Sequence, residues 1–220
     1  MLVKKRAGSI QYFIKGRSPR LLIHSGTHGD ESGVISPVRE ATINFVEKLP
    51  DFVFVPKVSP SAVRRRKREN ANQRDLNRSF LKNTKEKEVL ANMRIASRHK
   101  FDLCVSFHQD NEISKFYMYD SGRLDKNILN FFKRDLRKKR VDFFNGVDDP
   151  SDPTLNNKIK NGYISLARRR PIKDGTFGNW ALANRRIKRM IEVEVPGRVG
   201  KRAKNAIVQS FFRDVILKII

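Results

Sequence analysis

The chain has 220 residues and carries 47 Lys and Arg against 23 Asp and Glu, so its formal net charge is +24. Hydrophobic residues make up 39% of it, which is too much for a disordered polycation and enough for a single domain, 1–220, with a buried core. The single cysteine, Cys104, excludes an intramolecular disulfide framework and a Cys-rich zinc module. Apolar stretches are too short to span a membrane, and the basic N-terminus lacks the apolar core of a secretory signal. We therefore expect a globular cytoplasmic protein, and composition leaves its oligomeric state open.

Hydrophobic periodicity predicts strands that alternate with helices along the chain. The predicted strands are residues 21–25, 52–58, 101–107, 116–119 and 189–195. The predicted helices run from residue 31 to about 49, from 85 to 100, from 125 to 137 and from 203 to 220. Residues 60–83 are polar and basic and predict a long functional loop, and residues 145–162 predict irregular structure. This alternation predicts a layered α/β domain.

Polar residues that can bind metal follow two of the predicted strands. His28 and Glu31 come after the first strand, and His108 follows strand 101–107. Imidazole and carboxylate groups suit zinc, and ligand sites of open α/β sheets lie at the carboxyl ends of strands. The alternative is that these are ordinary surface residues, because a His-x-x-Glu pair arises often by chance. Of the other histidines, His24 lies inside a predicted strand and His99 ends a basic helix.

The last predicted strand carries two carboxylates on one face. The period of two places Glu192 and Glu194 together, opposite Ile191, Val193 and Val195. Both carboxylates could face solvent, because two buried and unpaired carboxylates would be costly. Alternatively, Glu194 points into a site as a general base, where a nearby metal would keep it ionised.

A short polar motif, Asp75-Leu-Asn-Arg78, ends the basic loop. The planar guanidinium of Arg78 can hold a carboxylate through two hydrogen bonds, and the Asn77 amide adds a directional donor and acceptor. Taken alone, the motif is equally typical of a solvated loop.

Five segments in this order resemble the zinc metallocarboxypeptidase superfamily, which includes carboxypeptidase A, the murein tripeptide amidases and the aspartoacylase/succinylglutamate desuccinylase branch. The segments are Thr27-His-Gly-Asp-Glu31, Arg68-x-Asn70, Asp75-Leu-Asn-Arg-Ser-Phe80, Ser106-Phe-His108 and Glu192-Val-Glu-Val-Pro196. The resemblance implies a three-layer α/β fold, with a mixed, mostly parallel central sheet and helices on both faces. It covers residues from about 21 to 197.

The resemblance also implies a role for each matching residue. His28, Glu31 and His108 would bind one zinc ion, and Glu194 would be the general base that activates a zinc-bound water. Asn77 and Arg78 would bind the terminal carboxylate of the substrate. Arg68 would polarise the scissile carbonyl, a role for which Arg65, Arg66 and Arg74 compete. The larger carboxypeptidases also carry a tyrosine before the base; Tyr163 is the nearest candidate here and is left unassigned.

Two enzymatic functions follow from the resemblance. The first is hydrolysis of an amide or peptide bond next to a free carboxylate, as in metallocarboxypeptidases and murein-peptide amidases. The alternative is deacylation of N-acyl amino acids, as in the aspartoacylase branch. In both, the partner is a small peptide or N-acyl amino acid that carries a free carboxylate.

The charge of the chain raises a non-enzymatic alternative. Basic runs lie at residues 64–68, 138–140 and 168–170, and such an excess of charge favours acidic partners. No recognised nucleic-acid motif accompanies these runs. We therefore expect nucleic acid to bind only nonspecifically, and we keep a catalytically silent basic binding protein as the alternative to the enzyme.

Overall fold

The computed structural model describes residues 1–149, 156–167 and 172–220, so the basic run 168–170 lies outside the described residues. The strands are β1 (Leu2–Ala7), β2 (Ile10–Lys15), β3 (Leu21–Ser25), β4 (Phe52–Val55), β5 (Phe101–Asp110), β6 (Tyr117–Asp120), β7 (Gly146–Val147), β8 (Lys158–Ile159), β9 (Tyr163–Ser165) and β10 (Ile187–Pro196). The helices are α1 (Ile35–Asn44), α2 (Pro60–Arg65), α3 (Lys87–Ser97), α4 (Lys126–Lys138), α5 (Phe177–Ala183) and α6 (Lys201–Phe211). None of these helices combines the length and apolar composition that a bilayer crossing requires.

Eight strands form one sheet in the order β1-β2-β4-β3-β5-β10-β6-β9. The four central strands, β4, β3, β5 and β10, run parallel to one another. Antiparallel pairs join β2 to β4 on one side and β10 to β6 on the other. The mixed, mostly parallel sheet that the sequence implied is therefore confirmed.

Helices cover both faces of the sheet and enclose a hydrophobic cluster on each. One cluster joins the central strands to α1, α4 and α6 through residues such as Val38, Phe132 and Phe211. The other joins the sheet to α3 and α5 through residues such as Val89 and Phe177. Burial of these large side chains on two faces is the main term that stabilises the three layers.

The alternation of side chains along β5 and β10 positions the polar residues. Val193 and its apolar neighbours at odd positions are buried in the cluster of α1, α4 and α6. Glu192 and Glu194 therefore project to the opposite face. There Glu194 is the register partner of His108, and Glu192 is the register partner of Ser106.

Several predicted elements were wrong or incomplete. The N-terminal hairpin β1–β2 was not predicted; it adds two strands to the sheet, and β1 exposes Lys4, Lys5 and Arg6. The loop predicted at 60–83 contains α2, whose N-cap Ser59 accepts a hydrogen bond from the Ala62 amide at 3.4 Å. Helix α5 was missed because it spans only seven residues.

The remaining differences concern element ends. Strand β5 continues past residue 107 to Asp110, so His108 lies inside the strand. The strand predicted at 52–58 ends at Val55, directly before Pro56. Within the described part of 145–162, β7 and β8 pair as a short antiparallel ribbon. The C-terminal helix is interrupted by a π-helical turn at Phe212–Ile216.

Candidate active site

Three buried side chains meet at the carboxyl ends of the neighbouring strands β3 and β5. His28 and Glu31 lie in the segment that follows β3, and His108 lies near the end of β5. The Glu31 carboxylate bridges the two rings: Oε1 lies 2.5 Å from His28 Nδ1, and Oε2 lies 2.9 Å from His108 Nδ1. The candidate ligand atoms of the three residues all lie within 4.8 Å of one another.

The far side of each imidazole is held by a second polar group. His28 Nε2 lies 3.0 Å from Asp75 Oδ1, and His108 Nε2 lies 3.1 Å from Ser106 Oγ. Metal-binding histidines in proteins typically have such an outer partner, which fixes the ring and the nitrogen that faces the ion. Two Nδ1 atoms and one carboxylate fit a divalent metal with an open coordination position.

The pKa values of the cluster describe its state without metal. Burial lowers the pKa of His108, but attraction to Glu31, the hydrogen bond to Glu31 and attraction to Glu194 and Glu192 together outweigh burial and raise that pKa to about 10. Burial raises the pKa of Glu31, but attraction to His28 and then to His108 holds it well below its usual range. The metal-free cluster therefore holds protons on imidazole, and metal binding must displace them.

All of the predicted site residues line one cavity of about 630 Å³ beside this cluster. The Arg68 guanidinium lies with Nη1 3.7 Å from Glu31 Oε1 and with Nε 3.0 Å from Asp75 Oδ2. None of the competing arginines, Arg65, Arg66 and Arg74, lines the cavity, and Arg65 instead donates hydrogen bonds to the Asn70 and Ala71 carbonyls.

The predicted carboxylate-binding residues lie on a short 3₁₀ turn at the cavity wall. Asn77 Oδ1 accepts a hydrogen bond from the Phe177 amide at 3.0 Å, so this oxygen is engaged by the backbone and the amide nitrogen is the side chain's donor. Arg78 Nη1 donates to the Asn77 carbonyl at 3.0 Å. The hydrogen bond between Asn77 and the Phe177 amide attaches the turn to the start of α5.

Glu194 lines the same cavity, across the sheet register from His108. Burial raises the pKa of Glu194 to about 8, with His108 acting against the shift and Glu31, Asp110 and Glu192 reinforcing it. A carboxylate whose pKa lies near neutrality can take up and release a proton at physiological pH.

Reasoning from the sequence assigned no role to several residues of the site. Asp75 lines the cavity and belongs to the Asp75–Arg78 motif. Ser106 shares the strand face of His108 at a spacing of two and contacts the far side of that ring. Tyr117 and Tyr119 also line the cavity, and each donates its hydroxyl to a carboxylate, Asp110 at 2.5 Å or Asp148 at 2.7 Å. The sequence could have indicated that both tyrosines face the same side of the sheet, because they are two residues apart on β6.

Tyr163, the nearest sequence candidate for a site tyrosine, does not line the cavity. Its hydroxyl donates to Asp120 Oδ2 at 2.8 Å and accepts from the Leu124 amide at 2.9 Å. These bonds hold β9 against the end of β6, which is a structural role.

The fold is shared with metallopeptidases of known structure. A candidate metallopeptidase from Shewanella denitrificans OS217 superposes with a TM-score of 0.72 at 18% identity, over 98% of this chain and 83% of that one. A metallo-carboxypeptidase from Burkholderia cenocepacia gives a TM-score of 0.69 at 13% identity, over 99% and 64% of the two chains.

The ectoine utilization protein EutE (DoeB) from Ruegeria pomeroyi, solved with bound product, gives a TM-score of 0.59 at 17% identity, over 95% of this chain and 60% of that one. No protein-family model matches the sequence, and no curated protein matches it. At these identities the likeness is one of fold. The chain therefore has a carboxypeptidase-like fold, and its buried His28–Glu31–His108 cluster lies beside the cavity described above.

Proposed function

We propose that the protein is a zinc-dependent hydrolase that cleaves an amide or peptide bond next to a free carboxylate, as metallocarboxypeptidases do. One observation carries the proposal: the His28–Glu31–His108 cluster, Glu194 and Arg78 all face one cavity of about 630 Å³. Metal ligands, a base and an anchor for an anion are the parts that such a reaction needs.

Each side chain has a separate task in this reaction. Asn77 and Arg78 bind the substrate carboxylate and so place the neighbouring amide beside the cluster. Glu194 takes a proton from the attacking water and delivers it to the amide nitrogen as the C–N bond breaks. Arg68 donates hydrogen bonds to the carbonyl oxygen as negative charge develops on it. A divalent ion held by His28, Glu31 and His108 would polarise the carbonyl and acidify water.

The test compares matched substrates with protein whose metal content is known. Zinc-loaded protein should hydrolyse an N-acyl dipeptide with a free carboxylate at least ~100-fold faster than its amide-capped analogue. Arg78→Ala should reduce hydrolysis of the free acid and leave hydrolysis of the capped analogue unchanged. Equal rates on the two substrates in the wild-type protein would remove the proposed role of Arg78.

The metal is tested separately by elemental analysis. The wild type should bind one zinc ion, and His108→Ala should bind it at least ~100-fold more weakly, because the variant keeps only two of the three ligands. Glu194→Gln should retain the ion and lose ~10²–10⁴-fold in hydrolysis rate. A wild-type protein that binds no divalent ion would contradict the proposal.

Deacylation of N-acyl amino acids is the second candidate. It is favoured by the segment Thr27–Glu31, which resembles the aspartoacylase branch. The same assay separates the two reactions when N-acyl amino acids are included, because a deacylase cleaves these faster than it cleaves peptides.

A further inference from the structure

Helix α4 (Lys126–Lys138), which lies wholly within the described residues, presents to solvent a face without an acidic side chain. Its opposite face is buried in the hydrophobic cluster of α1, α4 and α6 through Phe132 and Leu136. The exposed residues are Lys126, Asn127, Asn130, Phe131, Arg134, Arg137 and Lys138. Because they recur at intervals of three or four, they form one stripe along the helix, which we call the α4 stripe.

The two acidic residues of this segment are engaged away from the α4 stripe. Asp125 caps the helix and accepts a hydrogen bond from the Asn127 amide at 2.8 Å. Asp135 is partly buried, and it binds Arg213 at 2.9 Å as well as Lys139. In the described part of the chain, neither carboxylate forms an ion pair with a cation of the stripe.

The charge of the α4 stripe is not compensated within the protein. Among the described residues, no acidic side chain lies within ion-pair distance of Lys126, Arg134 or Lys138. The Arg134 guanidinium lies over the Phe131 ring, 5.4 Å from its centroid, and this contact orients the charge without neutralising it. The helix dipole favours Lys138 in the last turn, but it does not account for Lys126 in the first turn or for Arg134 between them.

Further cations extend the α4 stripe at the carboxyl end of the helix. The Arg137 guanidinium lies over the Phe143 ring, 5.3 Å from its centroid, and donates to Asn161 Oδ1 at 3.3 Å. This hydrogen bond holds the turn before β9 beside the helix. Lys160, next to Asn161 in the chain, and Arg140, just beyond the helix end, are both exposed. The surface therefore stays basic beyond the last turn of α4.

The composition of the α4 stripe matches a nucleic-acid backbone. A helix of 13 residues is about 20 Å long, and its uncompensated cations lie in a row along that length. Lysine, arginine and asparagine side chains all donate hydrogen bonds to phosphate oxygens. Each phosphate that a cation neutralises releases a counterion, which favours binding.

Other anionic partners fit the α4 stripe less well. Only one of its seven exposed residues, Phe131, is apolar, whereas a helix that lies in a membrane surface inserts a broad apolar face. Single-stranded nucleic acid is bound in grooves with several aromatic rings, and this convex face exposes one ring. The major groove of duplex DNA, about 12 Å wide, admits an α-helix, whereas that of duplex RNA is too narrow.

We propose that α4 is a binding surface for duplex DNA, on which Lys126, Arg134, Arg137 and Lys138 contact backbone phosphates. Contacts with phosphates carry no sequence information, so the binding is independent of base sequence. The described residues that line the main cavity include none from α4, so this inference does not depend on the proposed hydrolase activity. It assigns to one helix the attraction for nucleic acid that the net charge of +24 predicts for the whole chain.

The test compares two triple variants that lose the same charge. The first replaces three cations of the α4 stripe by glutamine: Lys126→Gln, Arg134→Gln and Lys138→Gln. The control replaces three exposed cations of β1, at the opposite edge of the sheet: Lys4→Gln, Lys5→Gln and Arg6→Gln. Fluorescence anisotropy with a labelled duplex of ~20 base pairs measures the Kd over a range of salt concentrations.

Wild type should bind the duplex with a Kd of ~10⁻⁶ M at ~0.1 M salt. The α4 variant should bind ~10²-fold more weakly, and its slope of log affinity against log salt should be shallower by about 2.7, since three phosphate contacts are lost. The β1 control should change affinity by less than ~5-fold, because it removes only long-range attraction. Unchanged urea unfolding in both variants shows that the fold is retained.

Chemical acetylation of the wild type gives a second measurement that does not depend on the folding of a variant. Duplex DNA should protect Lys126 and Lys138 from the reagent more strongly than Lys4 and Lys5, as read by mass spectrometry.

Several results would overturn the assignment. One is equal weakening of binding by the two variants, or equal protection of the two pairs of lysines, because the whole basic surface would then attract DNA. Another is a wild type that does not bind the duplex at ~0.1 M salt. Single-stranded DNA, duplex RNA, poly-glutamate or phosphatidylserine vesicles bound as tightly as the duplex would assign the surface to a different partner. Hydrolysis assays have no bearing on these outcomes, so either proposal can fail without the other.

Discussion

Asp75 joins two residues of the candidate site through one carboxylate. Its Oδ1 faces His28 Nε2 at 3.0 Å and its Oδ2 accepts from Arg68 Nε at 3.0 Å. Burial raises the pKa of Asp75, but contacts with His28 and attraction to Arg68 hold it well below its usual range. The carboxylate is therefore ionised at neutral pH and orients the imidazole so that its Nδ1 atom faces Glu31.

We predict that Asp75→Asn weakens zinc affinity ~10–100-fold, because the amide cannot support the imidazole as the carboxylate does. Competition with a chromogenic chelator measures the affinity. Asp102→Asn is the matched control, since Asp102 binds Arg20 and Lys188, the latter on β10 near the amino end of that strand. Unchanged affinity in Asp75→Asn would assign Asp75 a structural role alone.

We predict that the buried imidazole of His24 lowers the free energy of unfolding in acid. Burial, with a smaller contribution from His108, lowers its pKa from 6.5 to about 3 in the folded state. Between these values the unfolded chain binds a proton at His24 that the folded chain does not, so the contribution of His24 to stability falls as the pH falls below about 6.5. His108, whose pKa is raised in the folded state, contributes in the opposite direction. The slope for one such group is ~1.4 kcal/mol per pH unit, or about 2 kcal/mol at pH 5.

Urea unfolding of metal-free wild type and His24→Phe at pH 7 and pH 5 isolates the contribution of His24, because the opposing contribution of His108 is present in both proteins. The free energy of unfolding at pH 7 minus that at pH 5 should be about 2 kcal/mol smaller in His24→Phe than in the wild type, since phenylalanine can occupy the site beside Phe177 without titrating. His99→Gln alters a partly exposed imidazole whose pKa is also lowered by burial, and we expect a smaller change. Identical differences in wild type and His24→Phe would contradict the prediction.

The sequence located the candidate ligands because they follow strands and recur in a known order. The sequence did not identify the residues that hold the far side of each imidazole. Asp75 and Ser106 can be assigned this role only when the orientation of the His28 and His108 rings is known. The sequence could not decide between Arg65 and Arg68 because the two are close together in the chain. The backbone conformation directs Arg65 to the Asn70 carbonyl and Arg68 to the cavity wall.

At the scale of elements, the loop before α5 fixes the turn that carries Asn77 and Arg78. The Phe80 amide donates to the Gly175 carbonyl at 2.8 Å. Gly175 has φ +80°, and an ideal Cβ on it would lie 2.2 Å from the Arg78 carbonyl oxygen. Only glycine allows this approach, because a side chain would meet both the left-handed backbone penalty and fixed backbone atoms.

We predict that Gly175→Ala destabilises the protein by about 2 kcal/mol or more and raises KM for substrates with a free carboxylate, because the Arg78 turn must move. Urea unfolding and steady-state kinetics measure the two effects. Gly200→Ala is the control: an added Cβ there meets nothing within 4 Å, and we expect a small change in both. A stable Gly175→Ala with unchanged KM would show that the turn does not depend on this contact.

The central strands were predictable because their apolar runs are continuous, as parallel strands buried on both faces require. The N-terminal hairpin was harder: β2 alternates buried Ile10, Tyr12 and Ile14 with partly exposed residues, but β1 is an exposed edge strand rich in cations. Short elements such as α5 depend on tertiary contacts, here the packing of Phe177 and Ala181, rather than on local periodicity.

At the scale of the whole molecule, charge is separated between the surface and the cavity. The chain has a formal charge of +24, yet carboxylates dominate the lining of the candidate site. Composition predicted a basic surface, but composition averages charge over all positions of the chain. Only the fold shows that a minority of acidic residues converge at the carboxyl ends of the strands.

The net charge of +24 predicts that salt stabilises the folded state. Like charges repel more strongly in the compact chain than in the expanded one, and added salt shortens the range of that repulsion to ~10 Å at 0.1 M. The free energy of unfolding in urea should therefore rise, by on the order of 1 kcal/mol, between 0.02 and 0.3 M sodium chloride. Replacing exposed Arg64 and Arg66 by glutamate lowers the charge and should reduce this dependence on salt. A free energy of unfolding that falls with salt would mean that local ion pairs, rather than net repulsion, dominate the electrostatics of folding.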